Sequence, residues 1–142
     1  METFLDSQHL SQMTAGNVRE YLHHFVLELF QNHKDNRGYN IAFGSALQSD
    51  KALHETYKEK IRQVFQETAQ KLRRENDQFQ QIPETKLINV FIFLYNLVNA
   101  ILYQHLSVME LFATDEKFVD YLSNLVVFSL KYYLETEQKR LN

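Results

Sequence analysis

The sequence predicts an all-α fold, a bundle of about six helices, and three observations carry the prediction. Glycine and proline are scarce, with three and one in 142 residues, where chains of strands and tight turns need more of both. Apolar residues recur at i, i+3, i+4 and i+7 over long stretches, the period of a helix with one buried face. The breaks between those stretches carry capping residues. A chain of this length makes one domain whose core needs no staple. It holds no cysteine, so disulfides and thiolate-held metals are excluded. A net charge of −3 argues against a nucleic-acid-binding surface. The opening METFLDSQHL lacks the basic start and apolar core of a secretory signal, so the reading expects a cytoplasmic protein.

The elements follow in order. Residues 4–13 read as the tail of a helix, with Phe4, Leu5, Leu10 and Met13 as its apolar points. TAGN breaks it. Asn17 stands as an N-cap with Glu20 three residues on, the spacing of a capping box. A helix then runs over about 18–34 on Val18, Tyr21, Leu22, Phe25, Val26, Leu29 and Phe30. Residues 37–48 carry Tyr39, Phe43, Ala46 and Leu47 at helical spacing. Gly38 and Gly44 weaken that helix, which is expected to be short and irregular. Ser49 is expected to cap the next helix, over about 50–76, whose stripe is Leu53, Tyr57, Ile61, Val64, Phe65, Thr68 and Leu72. ENDQFQQI reads as a connector. Pro83 suits the first turn of a fifth helix, to about 111. Thr114 caps a sixth, to about 138, with Asp115 and Glu116 complementing its dipole.

The fifth helix contains LINVFIFLYNLVNAILYQHLSVM, with no full charge between Lys86 and Glu110 when His105 is set aside. It is long enough to cross a bilayer. Asn89, Asn96, Asn99, Gln104 and His105 offset its apolar residues, and Asp120 and Lys131 interrupt the segment that follows, so a membrane hairpin is the weaker reading. On a helical wheel Asn89, Asn96, Asn99, Tyr103, Ser107 and Glu110 share one narrow arc, and the rest is apolar. The sixth helix has the same design, with Asp120, Asn124, Lys131, Glu135 and Gln138 on one arc. Such wide apolar faces need cover on several sides. A second copy would supply it by completing a four-helix bundle. Burial in a single monomeric core is the plainer rival.

This layout resembles the C-terminal, ligand-binding and dimerisation domain of TetR-family bacterial transcriptional regulators. The match rests on helix order, length and apolar pattern. IPETKLINVFIFLYNLVNAILYQHLSVMELF and TDEKFVDYLSNLVVFSLKYYLE look like the family's two final helices. NVREYLHHFVLELF and SDKALHETYKEKIRQVFQETAQKLRREN look like its pocket helices. The family's N-terminal helix-turn-helix has no counterpart here. The resemblance implies that residues 1–16 are the remnant of an inter-domain linker helix and that 17–142 form the effector domain. It implies a homodimer, an unknown small-molecule effector, and DNA contact only through a domain this chain does not contain. It places the ligand cavity among the middle helices, with Tyr21, Phe25, Tyr39, Phe43, Tyr57, Phe65, Asn89, Phe93, Asn96, Asn99 and Tyr103 as candidate walls. It places the dimer interface on Leu94, Val98, Ile101, Leu102, Leu122, Leu125, Val126, Ser129 and Tyr133.

Each candidate has a plainer reading. The asparagine stripe is a pocket wall or a solvated strip, and solvated strips are commoner. Each aromatic is a pocket wall or ordinary core. Glu20, His24 and Glu28 share a helix face at i, i+4, i+8, which reads as a solvated face with weak charge pairs rather than a metal site. No G-x-S-x-G, phosphate loop or H-E-x-x-H is present. The reading expects no enzyme, no cofactor and no metal. A free-standing helical homodimer acting through protein contacts is the alternative function.

Overall fold

The computed structural model describes residues 17–110 and 112–141, and among these every regular element is a helix. They are α1 (Val18–Asp35), α2 (Arg37–Ser49), α3 (Lys51–Glu75), the one-turn α4 (Asp77–Gln80), α5 (Glu84–Ser107) and α6 (Asp115–Leu141). The expected helix over 4–13 and the linker remnant lie outside the described residues.

The starts of the helices show what local chemistry decides. At α3 the cap is Asp50, not Ser49: the Leu53 N–H donates to Asp50 Oδ1 across 3.0 Å. Ser49 instead donates its hydroxyl back to the Ser45 carbonyl at 3.2 Å, the competing local bond that serine favours near a helix end. At α6 the Lys117 N–H donates to Thr114 Oγ1 at 3.2 Å, as expected. Pro83 stands one residue earlier than expected. It precedes α5, and its carbonyl accepts from the Lys86 and Leu87 amides at 3.0 and 3.2 Å. At α1 the capping-box bond from the Asn17 side chain is not made. The Asn17 carbonyl accepts from Tyr21 N–H at 3.1 Å. The expected connector after α3 contains α4, because Phe79 and Ile82 are both drawn fully inside the core.

One continuous apolar core joins the helices. α5 runs through its middle, packed against α1, α3 and α6, while α6 lies chiefly along α1. Val26 and Leu29 of α1, Phe65 and Leu72 of α3, Leu87, Val98 and Leu102 of α5, and Val126 and Leu130 of α6 are almost completely buried. By length and composition α5 is apolar enough to cross a membrane, yet 44% of its most apolar 18-residue window is buried inside this core. α2 is the outlier. None of its residues is buried, and it sits against α1 and α3 at the edge of the bundle.

Candidate ligand cleft and association face

Where α2 rides on the edge of the bundle it leaves a cleft of about 380 Å3. α1 contributes His33 and α5 contributes Tyr103, Leu106 and Ser107. α2 contributes Arg37, Asn40, Ile41, Gly44, Ser45 and Gln48, one face of that helix. His33 is held in place. Asn99 Nδ2 donates to the Tyr95 carbonyl at 3.0 Å, which leaves its Oδ1 to accept from His33 Nε2–H at 2.7 Å. The amide thus sets the imidazole tautomer at that nitrogen.

The asparagine stripe of α5 therefore divides. Asn89 and Asn96 are exposed, the solvated strip. Asn99 braces the cleft through His33, and Tyr103 lines it. The aromatic candidates divide too. Phe25 and Phe65 are buried core, and Tyr21 packs half-buried against it. Tyr39 and Phe43 stack with ring centres 6.0 Å apart, and Phe43 meets Tyr57 edge-on at 5.3 Å. Tyr57 and Tyr95 share a hydroxyl–hydroxyl bond of 3.1 Å, and Tyr95 packs on Phe65 at 5.7 Å. These rings form a ladder from α2 across α3 to α5, not the walls of the cleft. Burial pushes the Tyr95 phenol far above its ordinary value, and the Tyr57 oxygen beside it raises it further. Burial also raises Tyr57, with the bond to Tyr95 partly offsetting. Both phenols are neutral near pH 7.

A second polar cluster ties the helix ends together. Asp115, in the first turn of α6, has Oδ2 3.4 Å from Lys34 Nζ and Oδ1 3.4 Å from His105 Nε2. The His105 ring is buried and stacks on Phe118 with centroids 3.8 Å apart. This joins the last turns of α1 and α5 to the start of α6. It is a clamp beside the cleft, and His105 is not among the cleft's lining residues. Glu20, His24 and Glu28 do not converge: among the described residues no group of three or more His, Asp or Glu could hold a metal.

The residues expected at the dimer interface divide as well. Leu94, Val98, Leu102, Leu122 and Val126 are buried within the single chain. They belong to the common core of the single chain, with Leu94 also at the floor of the groove between α5 and α6. Ile101 is half-buried against the core. Ser129 and Tyr133 are half-buried along a groove of about 330 Å3 between α5 and α6. Leu125 does face outward, and with it stand Tyr121, Phe128 and Tyr132, exposed by 61%, 68% and 65%. Their spacing is i, i+4, i+7, i+11, the seam of a helix that packs on another helix. Across the groove Phe93 of α5 is 61% exposed.

At roughly 200 Å2 per ring, these four aromatics expose on the order of 500 Å2, comparable to the largest apolar patch of a typical monomer, which is often functional. Sequence reading named Leu125 but missed Tyr121, Phe128 and Tyr132 of this stripe, and it missed Arg37, Asn40 and Gln48 of the cleft. The heptad spacing of the stripe and the shared face of α2 were the available signals. Comparison with known protein families, with curated proteins and with solved structures finds no match.

Proposed function

We propose that the chain is a non-catalytic, effector-sensing and dimerisation domain of the TetR-like kind, in which two copies associate through α5 and α6 and a small molecule occupies the cleft under α2. In such a regulator DNA contact comes from a domain outside this chain. One observation carries the reading: the outward stripe Tyr121, Leu125, Phe128 and Tyr132, continued by Phe93 on the neighbouring long helix. Left in water, those rings are costly and prone to non-specific contact. A second copy with the same stripe, related by a two-fold axis, covers them in an isologous interface. Helices of 24 and 27 residues are about 36 and 40 Å long, enough for an interface of standard size. The cleft lies on the last turns of α5, at Tyr103, Leu106 and Ser107, away from the Val90, Phe93 and Leu94 turns beside the stripe, so a ligand there leaves the stripe uncovered. Occupancy there shifts α2 relative to α1 and α5, and the clamp at Asp115 passes that shift to the start of α6.

Thermal unfolding across a hundredfold range of protein concentration tests the association. The midpoint is expected to rise with concentration, because association stabilises the folded chain by mass action. Phe128→Glu is expected to remove that dependence, while Lys131→Glu, on the polar arc of α6, keeps it. A midpoint independent of concentration in the unaltered chain overturns the reading.

A further inference from the structure

Arg37 is the one full charge among the side chains lining the α2 cleft, and no carboxylate stands with it. It makes no ion pair among the described residues. The rest of the lining is neutral, with Ile41 and Leu106 as its aliphatic part. Gly44 lies between these groups, in the middle of α2. A mid-helix glycine lowers stability relative to alanine, and the fold does not ask for one here. Gly44 has no positive φ, and a Cβ at that position would meet nothing within 4 Å. What the glycine supplies is room inside the cleft.

We propose that the cleft binds a small monocarboxylic acid. Its carboxylate pairs with the Arg37 guanidinium, and its apolar body lies over Gly44 between Ile41 and Leu106. The planar guanidinium matches a carboxylate with two parallel hydrogen bonds. A phosphate monoester brings nearly two negative charges, and the lining offers one positive charge to meet them. A volume of about 380 Å3 suits a small molecule and not a folded partner. This assignment rests on the reading of the chain as an effector-sensing domain and names the effector's class.

Calorimetric titration of the intact chain with octanoate, octanamide, octylamine and octyl phosphate, all below their micellar concentrations, tests it. Octanoate is expected to bind best. The amide should bind about fivefold more weakly, a modest factor because Arg37 is solvent-exposed and its pairing is screened. Arg37→Gln should abolish the difference between octanoate and octanamide. Gly44→Leu, which places a side chain in open space, should abolish binding while circular dichroism and melting show a folded protein.

No binding of octanoate overturns the proposal. So does equal or tighter binding of the amide, the amine or the phosphate, or a Gly44→Leu protein that binds octanoate as the unaltered chain does. The association test stands apart. A dimer that ignores octanoate overturns the acid and leaves the interface, and a monomer that binds it overturns the interface and leaves the cleft.

Discussion

Raising the pH from 9 to 11 should destabilise this protein through Tyr95 more than through any exposed tyrosine. Tyr95 is 4% exposed and hydrogen-bonded to Tyr57. Burial, and then the neighbouring Tyr57, hold its phenol protonated far above the ordinary range. In the unfolded chain the same phenol ionises near pH 10. The folded-state value is the raised one, so the stability that Tyr95 contributes is complete below pH 10. It is lost as pH rises above 10, where the unfolded state releases its proton and the folded state does not. One such group costs about 1.4 kcal/mol per pH unit in that window, hence about 1.4 kcal/mol by pH 11. Tyr57 is shifted in the same direction and adds to the slope. Urea unfolding at pH 8, 9, 10, 10.5 and 11 measures the loss. Tyr57→Phe/Tyr95→Phe is the reference, since it removes both titrating groups and keeps the ring contacts with Phe43 and Phe65. The unaltered chain should lose at least about 1 kcal/mol more than the reference between pH 9 and 11. Parallel losses in the two proteins would refute the buried, protonated dyad.

Two further outcomes follow from the packing. Asp50→Ala removes the side chain that accepts from Leu53 N–H at the start of α3. It should lower stability by about 1 kcal/mol, read as a shift of the urea midpoint at constant slope, with Ser49→Ala much closer to neutral. Phe65→Ala removes a ring that is 1% exposed and packs on both Phe91 and Tyr95. It should cost about 3–5 kcal/mol by the same measurement, whereas Tyr39→Ala, at 59% exposure, should stay within about 1 kcal/mol.

The helices were legible in the sequence because each carries its own period and most of its own stop signals. The boundaries of α1, α2 and α3 fall within one or two residues of those read from Leu22, Phe43 and Phe65 and their neighbours. The caps were less legible. Ser49 and Asp50 are both good capping residues, and only the path of the chain selects the aspartate.

The wide apolar faces of α5 and α6 were visible too, but periodicity does not say which part of a wide face meets the rest of the chain. On α6 the arc of Leu122, Val126 and Leu130 goes inward, and the adjacent arc of Tyr121, Leu125, Phe128 and Tyr132 stays out. Both arcs are apolar, so the pattern alone could not order them. The cleft was illegible for another reason. Its lining comes from three helices brought together by packing, and its charge, Arg37, is the first residue of a helix read only by its apolar points. His105 likewise reads in sequence only as a polar residue offsetting the apolar run, and its contacts with Asp115 and Phe118 come from packing.

The central claim is that the outward stripe of α6 is covered by a second copy. Light scattering on the detergent-free chain over a dilution series tests it most directly. Twice the 17.0 kDa chain mass, about 34 kDa, is the result predicted for the unaltered protein, with Phe128→Glu reverting to a single-chain mass. A single-chain mass for the unaltered protein at every concentration would contradict the account.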